Sequence, residues 1–80
     1  MFFYTYVLQS KKDGLLYVGW TVDLRKRVEE HTKGEVAATK NRRPLKLVYY
    51  EASTQRVSSI KREKELKTGF GRAYLKRRLA

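Results

Sequence analysis

The chain contains no cysteine. Disulfides, thiolate-held metals and cysteine nucleophiles are therefore excluded, and the usage suits a reducing, cytoplasmic setting. Histidine occurs once, at His31, and one imidazole without a thiolate cannot assemble a zinc site. Long apolar runs are missing too: nothing approaches the ~20 residues of a membrane span. The opening MFFYTYVLQ is too short for a secretory signal and lacks its basic start. No stretch is a strongly apolar amphipathic helix with a basic back, so a membrane is not the expected partner. Internal repeats, linkers and low-complexity segments are absent. Acidic residues are scarce, with 8 Asp and Glu against 19 Lys and Arg.

That imbalance gives 80 residues a formal charge of +11. A polyanion is the expected partner, and nucleic acid is the commonest one. The length allows one small domain, residues 1–80, with a modest core. Apolar residues at 41% exclude general disorder.

The stretch from Leu15 to His31 organises the rest. Leu15 to Trp20 reads as a strand, with Leu15, Tyr17 and Gly19 on one face and Leu16, Val18 and Trp20 on the other. A glycine inside a strand marks a bulge or a close approach. Thr21 or Asp23 is placed to cap a following helix. On that helix Leu24, Val28 and His31 share a stripe, with Arg27 along its edge. Arg25–Glu29 and Lys26–Glu30 are expected as i,i+4 pairs. In a purely structural reading Arg27 snorkels and His31 is a satisfied core histidine. Tyr17 on the preceding strand favours a functional one.

Phe2 to Gln9 reads as another strand, with Phe2, Tyr4, Tyr6 and Leu8 on one face. Ser10 to Gly14 forms a turn in which Asp13-Gly14 signals a hairpin. A loop of even length puts Tyr6 and Tyr17 on one face of the ribbon; an odd one needs a bulge. Thr32 to Arg43 reads as a basic irregular connection, ended by Pro44 and followed by a strand from Leu45 to Glu51. Lys40, Arg42 and Arg43 are either a solvated loop or a phosphate-contacting patch.

Gln55 to Lys67 is expected as a helix capped by Ser53 or Thr54, with Ser59, Ile60, Glu63 and Leu66 on one face and Glu65 opposite with Lys61 and Arg62. A carboxylate centred on a packing face needs a partner. A metal ion, Arg27 or an i,i+4 Lys67 would serve. Gly69 and Gly71 are expected to break the helix, leaving Arg72 to Leu79 as a short basic one. There Arg72, Lys76, Arg77 and Arg78 are available to a nucleic-acid backbone.

Tyr6, Tyr17, Arg27, His31 and Glu63 form a plausible set for phosphodiester hydrolysis. One carboxylate with waters and substrate phosphate suits Mg²⁺, and a guanidinium is well shaped to offset charge growing on a phosphate. A tyrosine needs nearby positive charge to serve as a base at neutral pH.

Tyr6 within Thr5-Tyr6-Val7, Tyr17-Val18-Gly19, then Arg27, His31 and Glu63 in that order resemble the GIY-YIG nuclease superfamily. The likeness is strongest to its small stand-alone bacterial branch, relatives of the excinuclease C-subunit amino-terminal domain. It extends through RRPLKLVYYE and REKELKTGFGRAYLK. The resemblance implies an α+β fold, a three-stranded antiparallel sheet flanked by helices. It also implies single-metal hydrolysis of DNA with Mg²⁺ or Mn²⁺, in a repair setting where the DNA is branched or damaged. By resemblance Glu63 is the metal ligand, Arg27 the transition-state stabiliser, and Tyr6 and Tyr17 position or deprotonate the water. His31 supports them, and Gly19 keeps its strand close to the metal. Thr5 and Val7 depart from the first triplet, and no Asn follows Glu63, whereas some members carry one. No second domain for target recognition is evident, so the resemblance implies weak activity from the isolated chain or a protein partner for targeting.

Two alternatives stand beside the endonuclease: a non-catalytic or weakly active nucleic-acid-binding domain, and a structural RNA-associated protein. Neither gives a reason to set Glu63 beside bound phosphate.

Overall fold

The computed structural model describes all 80 residues. Its elements are β1 (Phe3–Ser10), β2 (Leu16–Thr21), α1 (Leu24–Thr32), a short 3-10 turn (Lys40–Arg42), β3 (Leu45–Ser53), α2 (Arg56–Leu66) and α3 (Gly69–Leu79). The fold is α+β: one antiparallel sheet in the order β2-β1-β3, with helices on both faces. No helix is long and apolar enough to cross a membrane.

β1 lies in the middle because it can be buried on both sides. Thr5, Tyr6, Val7 and Leu8 are all buried, a run that only a central strand satisfies. Ser10 N–H donates to the Leu15 carbonyl at 3.0 Å, so the hairpin loop holds four residues, Lys11 to Gly14. Gly14 takes φ +75°, the left-handed conformation that this turn requires. Tyr6 therefore pairs with Gly19 and Leu8 with Tyr17, which places both tyrosines on one face. In the β1–β3 pairing a bulge between Val7 and Leu8 brings Leu47 and Tyr50 to that same face.

On the tyrosine face lies α1, capped by Asp23, whose carboxylate accepts from Lys26 N–H at 3.1 Å. On the other face α2 and α3 pack Leu66 and Leu75 onto Val7 and Val18 to make the core. Three sequence expectations are corrected here. Gly69 and Gly71 do not break a helix but open α3; the break is at Thr68, whose hydroxyl accepts from Gly71 N–H at 3.2 Å. Gly71 is needed there because α3 crosses the end of α2 so closely that a Cβ would meet the Leu66 carbonyl carbon at 2.7 Å. Neither Ser53 nor Thr54 caps α2. Gln55 holds that position without a side-chain bond, and Ser53 instead accepts from Gln55 N–H at 3.1 Å. Arg62 shares a hollow with Lys61 and Glu65, as expected, and there its guanidinium bonds Glu51 on β3 at 3.0 Å and lies over the Tyr74 ring. Finally, Glu30 pairs with Arg27 at 3.0 Å rather than with Lys26, and no Arg25–Glu29 pair forms. Arg27 is half-buried and so less well solvated than its exposed neighbours, which makes it the stronger competitor for the carboxylate.

Candidate active site

β2 is an edge strand, so helices on opposite faces of the sheet can meet around it. The candidate residues converge there. Tyr6 and Tyr17 project from adjacent strands with ring centroids 6.5 Å apart, and His31 from α1 sits 5.6 Å from the Tyr6 ring and 5.2 Å from the Tyr17 ring. The Tyr6 hydroxyl and His31 Nε2 share a hydrogen bond of 2.8 Å. The other ring nitrogen, Nδ1, shares one of 2.7 Å with the Thr39 hydroxyl. His31 is fully buried, and both nitrogens are satisfied.

Gly19 is explained by this chain of bonds. A Cβ on residue 19 would fall 2.6 Å from the Tyr6 hydroxyl oxygen, so only glycine lets the phenol reach His31 over the neighbouring strand. The glycine that the pattern marked as a close approach is one.

Burial pushes the Tyr6 phenol up, partly opposed by the Arg27 guanidinium beside it, while Tyr17 and Glu63 add smaller upward pushes. Arg27 is itself held firmly charged, chiefly by Glu30 and then by Tyr6. Burial, aided by the positive charge of Arg27 and opposed by a smaller effect of Glu30, lowers the His31 imidazole to about 4. The ring is therefore neutral at pH 7. It offers one donor and one acceptor, which matches one bond to a phenol and one to a threonine.

Glu63 approaches from the other face of the sheet, on α2, close enough for its charge to act on Tyr6. Its side chain is only 18% exposed, and it accepts from Lys67 Nζ at 3.3 Å. Of the three partners considered for it, Arg27 pairs with Glu30 and not with Glu63, and the i,i+4 lysine is present. No group of three acidic, histidine or cysteine side chains surrounds any point of the chain. A fully protein-held cage is therefore absent, and His31 has no free nitrogen. The donor set that remains, one carboxylate, fits a hard cation that keeps waters and takes substrate phosphate, as Mg²⁺ does.

The basic candidates separate. Arg42 and Arg72 line a groove along the β2 edge that also contains Tyr17 and Lys67. Lys40 and Arg43 border a different hollow with Thr32 and Leu45. Arg43 donates to the Lys40 carbonyl at 3.0 Å and its guanidinium covers Gly34, which takes φ +79°, so it fastens the loop. Lys76 lies exposed on α3.

Thr39 escaped sequence reasoning. It lies in a loop without periodicity, and the sole clue was that a buried histidine needs two partners.

A match to the GIY-YIG catalytic domain runs over residues 2–77, nearly the whole chain. The chain belongs to the GIY-YIG family. Its relatives include a UPF0213 protein from Syntrophus aciditrophicus, 44% identical over 66 residues that span 80% of this chain and 75% of that protein. Another, UPF0213 protein SSP2268 from Staphylococcus saprophyticus, is 44% identical over 81% of this chain and 79% of its own. The solution NMR structure of UPF0213 protein BH0048 from Bacillus halodurans shares the fold with a TM-score of 0.58 and 31% identity, covering 94% of this chain and 82% of that one. The two tyrosine triplets of this GIY-YIG chain fall on β1 and β2, side by side.

The buried neutral His31 carries a stability consequence. The unfolded imidazole takes up a proton near pH 6.5 while the folded one resists to about 4. Stability is therefore complete above pH 6.5 and is lost as pH falls towards 4. At ~1.4 kcal/mol per tenfold difference in proton affinity, the loss is about 3 kcal/mol. Urea unfolding at pH 7 and pH 4.5 should show it. His31→Gln should be less stable at pH 7 and should lack most of that slope; an unchanged slope would place the titration elsewhere.

Proposed function

We propose that the chain is a metal-dependent endonuclease that hydrolyses phosphodiester bonds in DNA. The observation that carries this reading is a carboxylate, Glu63, brought to a tyrosine–histidine–arginine cluster on a chain of charge +11. Beside a bound polyanion that carboxylate is repulsive unless a cation intervenes. Glu63 would hold the cation, Mg²⁺ or Mn²⁺, which would polarise the phosphoryl oxygen and stabilise the leaving one.

The remaining work falls to the chain's own groups. Arg27, held by Glu30 at 3.0 Å, would offset the negative charge that grows on the phosphate. A free phenolate at Tyr6 is disfavoured by burial. The bond to neutral His31 sets a different role: the hydroxyl donates to Nε2, which leaves its oxygen turned to accept a hydrogen bond from the attacking water and so to orient it. Thr39 fixes the ring that holds the phenol in this orientation. Tyr17, on the same face and partly exposed, orients the water or the phosphate.

Supercoiled plasmid should be nicked in Mg²⁺ and in Mn²⁺ and left intact in EDTA. Binding in EDTA should weaken with salt at a log–log slope of roughly −3 or steeper, from several phosphate contacts. One observation favours the alternative, a weakly active or non-catalytic binding domain: Lys67 already satisfies Glu63 without a metal. Absence of nicking with salt-sensitive binding intact would select that alternative. Arg27→Ala should lower kcat more than tenfold, ~1.4 kcal/mol or above, with little change in KM. A rise in KM alone would make Arg27 a binding residue.

A further inference from the structure

The groove along the β2 edge is built unlike a phosphate track. Its volume is about 550 Å³, within the range of small-molecule sites. Its accessible apolar surface comes from Leu15, Leu16 and Tyr17, with Val18, Leu66 and Leu75 of the core behind them. The charged side chains that line it are cationic, Arg42, Lys67 and Arg72; Arg42 lies 3.8 Å from Asp13 and Lys67 3.3 Å from Glu63. Tyr17 belongs both to this groove and to the catalytic cluster, so the two are continuous.

A duplex presents phosphates and sugars to an edge strand, and an apolar surface has nothing to offer either. A nucleobase turned out of its stack presents a flat apolar face with its phosphate attached. Such a face fits leucines and a tyrosine, and its phosphate fits the arginines at the rim. We propose that this groove receives one unpaired nucleotide next to the scissile phosphate, base against Leu15, Leu16 and Tyr17 and backbone against Arg42 and Arg72. The proposal rests on the nuclease reading and names its substrate class, DNA with an unpaired nucleotide at the cleavage point. Leu15 forms the outer lip and is 62% exposed, an apolar side chain left in water unless something covers it.

The test is binding in EDTA, which does not depend on turnover. Two labelled duplexes are compared by fluorescence anisotropy, one with a single bulged nucleotide and one with an abasic residue at the bulge. Their phosphates are the same, so only the base differs. Wild type should prefer the intact bulge by about fivefold or more. Leu15→Gln should reduce that ratio towards one while leaving affinity for the abasic duplex unchanged. Arg72→Ala should weaken both duplexes equally and keep the ratio. Equal binding of the two duplexes by wild type would overturn the proposal, and with plasmid nicking intact would leave the nuclease reading standing. Failure of nicking with the base preference intact would count against the nuclease reading and not against the groove.

Discussion

Glu63→Gln is expected to lower metal-dependent nicking by at least a hundredfold, about 2.7 kcal/mol of transition-state stabilisation. Glutamine keeps the volume and removes the anionic oxygen that a hard cation requires. DNA binding in EDTA should stay the same or tighten, because one negative charge is gone and Lys67 is released to contact phosphate. The fold should survive: an i,i+4 pair with a half-exposed lysine contributes ~0.5 kcal/mol, and thermal unfolding would confirm it. Loss of nicking with binding retained separates metal holding from docking. Wild-type nicking by the purified variant would remove Glu63 as ligand and with it the single-metal reading.

The second large effect is on stability, at Gly71→Ala. Its new Cβ would press into the Glu65 carbonyl and the Leu66 backbone where α3 crosses α2. Those atoms are main chain and cannot rotate away, so α3 must shift and take Leu75 with it, which is fully buried against Leu66 in the core. Overpacking against side chains costs ~1–3 kcal/mol; against backbone we expect about 3 kcal/mol or more. For a domain of this size that lowers Tm by roughly 12 °C or more. Gly69→Ala is the control. A Cβ there meets open space, so it should be neutral or stabilising by up to ~1 kcal/mol. Equal thermal shifts in the two variants would refute the account of the α2–α3 crossing.

Local pattern and tertiary context divided the information in this protein. Alternation and the Asp13-Gly14 turn determined the β1–β2 hairpin, and helical spacing placed His31 and Glu63 on inward faces. Those features depend on residues a few positions apart, where dihedral preference and side-chain direction act. The α3 start shows where local reasoning failed. Two glycines disfavour a helix by propensity, yet the Thr68 cap and the close crossing over Leu66 outweigh that cost. The Arg27 and Arg62 partners were equally hidden, since burial rather than spacing chose Glu30 and Glu51.

Composition and local pattern thus pointed to a basic domain, most of its elements and five candidate side chains. Only the tertiary structure decided that β1 is central and β2 the edge. That order lets Tyr6, Tyr17 and His31 gather on one face while Glu63 arrives from the other. It also decided that Thr39, from a loop without pattern, locks the imidazole, and that Gly19 exists to make room for a phenol. The physical reason is range: periodicity encodes which way a side chain points, whereas strand order and loop closure are set by contacts between residues far apart in the chain.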